Sequence, residues 1–141
     1  MKHIEEKVNK IIKEHDTNDP YKIAKEKGIQ IVFEELGNVF GYYSKHYQVK
    51  IIHINNKLKV AEKRFVCSHE LGHVILHPDA NTPFLKRKTL FSTNRIEQEA
   101  NVFAMNLLFS ETDLNEHIKI ELALNKYGIP QSLLQEYHDF F

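Results

Sequence analysis

A disulfide framework is excluded at the outset, because the chain holds a single cysteine, Cys67. A free thiol fits a reducing compartment. Net charge is missing too, since 19 Lys plus Arg balance 19 Asp plus Glu. No global basic field is present to hold a nucleic acid directly, and no block of like charge marks an acidic or basic tail. No apolar run approaches the ~20 residues that span a bilayer. Met1-Lys2-His3-Ile4-Glu5-Glu6 lacks the apolar core of a signal peptide. A cytoplasmic protein with no membrane contact is therefore expected. No internal repeat or low-complexity linker divides the chain. What is present is 42% hydrophobic residues over 141 positions, enough for one real core. A single domain over residues 1–141 is the expectation.

Ile4, Val8, Ile11 and Ile12 recur at helical spacing and predict an amphipathic helix over about residues 2–14. Asp19-Pro20 reads as an N-cap with proline at the first helical position, opening a short helix that Gly28 stops. Residues 29–36, 39–43 and 48–54 read as strands, with a turn at Gly37-Asn38. An α+β fold follows, with a small antiparallel sheet of about three strands packed on helices. His46 reads as a solvated hairpin residue. His53 alternates with Ile52 and Ile54 and so faces away from them. Residues 78–93 have no clear period and carry exposed-looking Phe84, Leu85, Leu90 and Phe91. They form a long loop, either a rim beside a site or a plain crossover. A further helix begins near Asn94 with the stripe Ile96, Ala100, Phe103, Ala104, Leu107 and Leu108. Ser110 to Asp113 reads as a break or a new helix start. Helices are then expected near residues 118–126, up to Gly128, and from about Gln131 to Tyr137.

Between strands and loop lies Cys67-Ser68-His69-Glu70-Leu71-Gly72-His73-Val74-Ile75-Leu76-His77-Pro78, which contains His-Glu-x-x-His. On a helix, residues four apart lie about 40° apart in azimuth and roughly 6 Å along the axis. His69 and His73 can then aim two imidazoles at one point, a donor pair suited to Zn²⁺. Glu70 sits about 100° round from His69, beside a metal rather than on it. There a carboxylate can hold and deprotonate a water. Cys67 lies about 160° from His69 and is better read as a small buried hydrophobe. Val66, Leu71, Val74, Ile75 and Leu76 point to several azimuths, so this helix should be buried on most sides.

A catalytic zinc site needs a third protein ligand. His77 lies about 12 Å along the axis from His69, too far for one ion on a straight helix, and reads as a helix-end or supporting residue. On the next helix Glu97 and Glu99 both flank the apolar stripe. They point about 160° apart, so at most one can bind the metal. Periodicity barely separates them, and Glu97 could instead pair with a capping Asn94. Asn101, one turn after Glu97, could hydrogen-bond a ligating histidine.

His-Glu-Leu-Gly-His-Val-Ile-Leu-His, followed by Glu97-Gln98-Glu99-Ala100-Asn101-Val102-Phe103-Ala104 and Leu107-Leu108, resembles the ImmA/IrrE family of gluzincin-like metallo-endopeptidases. The resemblance extends to Gly28-Ile29, Phe40-Gly41-Tyr42-Tyr43, the strand from Ile51 to Asn55, and Tyr127-Gly128-Ile129-Pro130. Phe109-Ser110 departs from the Met-Pro that the family often carries there. The resemblance implies a zincin-like fold, one Zn²⁺ held by His69, His73 and Glu97, and Glu70 as the catalytic carboxylate. It also implies a protein substrate, typically a helix-turn-helix repressor of a phage or other mobile element, whose cleavage relieves repression. Tyr42 or Tyr43 could donate to an oxyanion, although strand packing accounts for both. Two rivals stand beside this reading. One is an anti-repressor of the same fold that binds without cutting. The other is a zinc hydrolase acting on a small amide.

Overall fold

A computed structural model describes residues 1–110 and Ile129. The helices expected near residues 118–126 and 131–137 lie outside the described residues, as does the stop at Gly128. The elements are α1 (Lys2–His15), α2 (Pro20–Glu26), β1 (Gln30–Glu34), β2 (Gly41–His46), β3 (Val49–Asn55), α3 (Val60–Leu76), a short 3₁₀ turn (Lys88–Phe91) and α4 (Arg95–Leu108). The α+β class holds.

Local chemistry explains the helix ends. Asp19 accepts from the backbone N–H of Tyr21 at 3.0 Å and caps α2. Gly28 leaves α2 with φ of 75°, a conformation that costs glycine little. Glu62 reaches back to the N–H of Lys59 at the start of α3. Asn94 caps α4 by accepting from Ile96 N–H at 3.0 Å. Along α1 the stripe Ile4, Val8 and Ile11 is buried. In α3, ten consecutive residues from Phe65 to Val74 are buried. That helix is the centre of the molecule: it packs on α4 and beneath β2 and β3.

The sheet is mixed rather than antiparallel. Its order is β1-β3-β2. β2 and β3 form the expected antiparallel hairpin, but β1 runs parallel to β3. Antiparallel neighbours joined by a short turn are a local matter, whereas the partner of β1 is chosen by the path of residues 35–40 across the sheet. Asn55 holds that crossover from the end of β3, donating to Gly37 O at 3.0 Å and Val39 O at 2.9 Å. β2 also runs three residues further than its apolar pattern, because Lys45 and His46 still pair with Lys50 and Val49. Tyr47, with φ of 57°, then turns the hairpin.

Alternation sends Ile52 and Ile54 into the core and His53 outward, as expected. On the outer face His53 is bonded on both sides. Its Nδ1 lies 2.6 Å from Glu34 on β1, and its Nε2 lies 2.8 Å from Ser44 Oγ on β2. Tyr42 stacks on the ring. The loop of residues 78–93 is better packed than its composition suggests. Leu85 and Leu90 are buried, and Leu85 bridges to β2 by donating to Gly41 O at 2.8 Å and accepting from Phe40 N–H at 2.7 Å. Phe84 alone of the four apolar loop residues is exposed. Among the described residues no helix is long and apolar enough to cross a membrane.

Gly41 is where sheet, loop and α3 meet. A Cβ there would lie 2.5 Å from Val66 Cγ1 and 2.6 Å from the carbonyl oxygen of His53. The valine can shift, but the backbone oxygen cannot. Gly41→Ala is expected to lower unfolding free energy by about 1–3 kcal/mol, read as a lowered urea midpoint at unchanged slope.

Candidate metal centre

Helices α3 and α4 bring four polar side chains into one buried spot. His69, Glu70 and His73 come from consecutive turns of α3, and Glu97 from the first turn of α4. None is more than 1% exposed. The approach is close because Gly72 faces Phe103, where a Cβ would sit 3.1 Å from three ring and side-chain carbons. A larger residue at 72 would hold the helices apart.

Both imidazoles converge on the same carboxylate oxygen. His69 Nε2 lies 3.1 Å and His73 Nε2 3.0 Å from Glu97 Oε1. The three potential ligand atoms lie within 4.8 Å of one another. Glu97 is in the first turn of its helix, where the macrodipole favours negative charge. Burial alone would raise its carboxyl, but hydrogen bonds and charge from the two histidines outweigh that and hold it at about 2. Glu97 is therefore a carboxylate and does not pair with Asn94, whose cap is made by its own side chain.

Asn101 settles the proton on His69. Its Nδ2 donates to Leu90 O at 2.9 Å, so its Oδ1 is the atom that faces His69 Nδ1, also at 2.9 Å. An oxygen there must accept, so Nδ1 of His69 carries a proton, and in the neutral ring Nε2 then presents a lone pair. In that neutral form the lone pair meets a carboxylate oxygen, acceptor against acceptor, and the contact is a hydrogen bond only when the ring carries both protons. Glu97 Oε2 and both oxygens of Glu70 add three buried atoms with no hydrogen-bond partner. Buried acceptors without donors are costly, and a cation at their focus would satisfy them together. The residues present fit a metal ion.

Glu70 stands beside this group, its Oε2 3.9 Å from His69 Nε2. Burial pushes its carboxyl up to about 8, with His73 opposing and Glu97 adding to the rise. Glu99 is on the other flank of α4 and bonds His77 at 2.9 Å instead. Tyr43 gives its hydroxyl to Pro78 O at 3.2 Å, and Tyr42 packs between His53 and Phe84. Cys67 is fully buried, and burial raises its thiol far above the usual range. The backbone carbonyl of Leu90 is the member that no sequence signal announced, because a main-chain oxygen has no residue type.

Comparison with known proteins places this geometry. A family model described as the IrrE N-terminal-like domain, peptidase M78, matches residues 24–127. The chain belongs to the ImmA/IrrE family of metallopeptidases. It is 40% identical over 131 residues to a Bacillus phage phi105 protein named uncharacterized immunity region protein 2, covering 89% of this chain and 83% of that one. It is 35% identical over 130 residues to metallopeptidase ImmA of Bacillus subtilis strain 168, covering 91% and 76% respectively. Membership in a metallopeptidase family and the buried His, His and Glu group point independently to a bound metal ion.

Asn101→Leu keeps the volume but removes the acceptor for His69 and the donor to Leu90. Metal affinity is expected to fall about ten- to a hundred-fold, measured by competition with a chromophoric chelator. Far-ultraviolet circular dichroism should be unchanged.

Proposed function

We propose that this ImmA/IrrE family member is a zinc-dependent endopeptidase. Its substrate would be a helix-turn-helix repressor of a phage or mobile element, and cleavage would relieve repression. The observation that carries the reading is the convergence of His69, His73 and Glu97 with an unpartnered Glu70 alongside. A structural metal site has no need of that second carboxylate. Two imidazoles and one carboxylate suit Zn²⁺ with a coordination position left for chemistry. The relative from a phage immunity region supports a repressor as the target.

In this mechanism His69, His73 and Glu97 hold the ion, and Asn101 keeps His69 turned toward it. When bound, zinc would polarise the scissile carbonyl and acidify a water molecule. Glu70 takes one proton from that water as its oxygen bonds to the carbonyl carbon. It passes the proton to the amide nitrogen as the C–N bond breaks. Burial raises the Glu70 carboxyl, which favours its holding the proton between the two halves of that transfer.

The complete burial of His69, Glu70 and His73 favours a second reading, a repressor-binding protein that does not cut. Incubating the zinc-loaded protein with a candidate repressor separates the two. Wild type should cleave, and Glu70→Gln should bind zinc equally well yet cleave at least about 10²-fold more slowly. Chelation should abolish cleavage and added zinc should restore it. Relief of repression by both variants with the repressor intact would sink the protease reading. Glu97→Ala should also lose more zinc affinity than Glu99→Ala; the reverse order would overturn Glu97 as third ligand.

A further inference from the structure

The two histidines of the metal centre are not supported alike. His69 leans on the neutral amide of Asn101. The Nδ1 of His73 meets another imidazole, lying 3.2 Å from His77 Nδ1. The far nitrogen of His77, Nε2, lies 2.9 Å from Glu99 Oε1. Glu99 is in turn flanked by His3 Nε2 at 3.6 Å and Arg95 Nε at 3.8 Å. His77 and Glu99 are only 9% and 16% exposed at their side chains, while His3 and Arg95 are largely exposed. A line of contacts therefore runs from the protein surface to the metal centre.

His77 reaches that position because the helix stops at it. Pro78 disfavours helical backbone in the residue before it, and His77 has φ of −134° and ψ of 53°. Its N–H still bonds His73 O at 2.7 Å, which keeps it over the last turn. Tyr43 holds Pro78 from the sheet. The imidazole is thus fixed from its own helix, from α4 and from β2.

We propose that His77 and Glu99 are positioning residues: together they set which nitrogen of His73 faces the metal and raise its donor strength. The proposal rests on the metal reading above and deepens it. Proton placement follows from the contacts. For His73 to present the lone pair of Nε2, its proton must be on Nδ1. That N–H can donate only if His77 Nδ1 is bare, so His77 carries its proton on Nε2. This N–H then donates to Glu99 Oε1, which as a carboxylate can only accept. Every link has one donor and one acceptor. A carboxylate at the end of such a chain polarises both rings toward the metal, so His73 is the more basic ligand of the pair.

The test is zinc affinity of the full chain, measured by chelator competition for wild type, His77→Leu, His77→Gln and Glu99→Gln. His77→Leu should bind about ten- to a hundred-fold more weakly. His77→Gln, which can still accept from His73, should recover part of that loss. Glu99→Gln, which keeps an acceptor but loses the charge, should show a smaller loss in the same direction. Long-range ¹H–¹⁵N correlation on the zinc-loaded wild type should place protons on His73 Nδ1 and His77 Nε2, a readout independent of whether any variant folds poorly. Unchanged affinity in His77→Leu, or a proton on His77 Nδ1, would overturn the positioning role while leaving the metal centre standing. A wild type that binds no zinc would remove both.

Discussion

A carboxylate on one helix has to reach two imidazoles on another, in the buried middle of the molecule. Everything else in the structure accommodates that demand. Helices α3 and α4 must approach closely, so Gly72 leaves room for Phe103. Glu97 must be charged while buried, so it stands in the first turn of α4 and is held low by its two partners. Isolated buried charges are expensive, and pairing offsets the cost only when the remaining acceptors are satisfied. Here they are not satisfied by protein alone, which is the physical signature of a cluster built around a cation.

The candidate metal centre is supported from two sides with different chemistry. On one side an amide fixes His69 and is itself fixed by the main chain at Leu90. On the other an imidazole fixes His73 and ends on Glu99. Glu97 and Glu99 thus divide two contacts between opposite flanks of one helix, the first with His69 and His73 and the second with His77. The opposed azimuths of the two side chains make this division possible.

Much of this was legible from residue order. The helical period of α1, the Asp19 cap, the buried motif helix and the pairing of Asn101 with a histidine all follow from local spacing. Glu97 and Glu99 could not be separated by period alone, because both border the same stripe and only the position of α3 distinguishes them. The parallel course of β1 was hidden, since a strand's distant partner leaves no mark on its own alternation. Leu85 and Leu90 looked exposed because irregular segments have no period to report burial, yet a bridge to Gly41 draws Leu85 inside. His77 was readable as a helix-end residue, but its turn back toward His73 depends on backbone angles that Pro78 and the sheet impose together.

The ladder of Glu34, His53 and Ser44 crosses all three strands on the outer face. In a sheet this small, sliding one strand by a single residue would exchange inner and outer faces. The ladder acts as a key cut for one alignment: a slip of either edge strand would break a bond to His53. Tyr43 follows Tyr42 on the same strand as Ser44, so the alignment that seats Ser44 also sets the height of the hydroxyl that grips Pro78. A polar contact on the solvent side of the sheet thereby gauges where the chain leaves α3 on the other side.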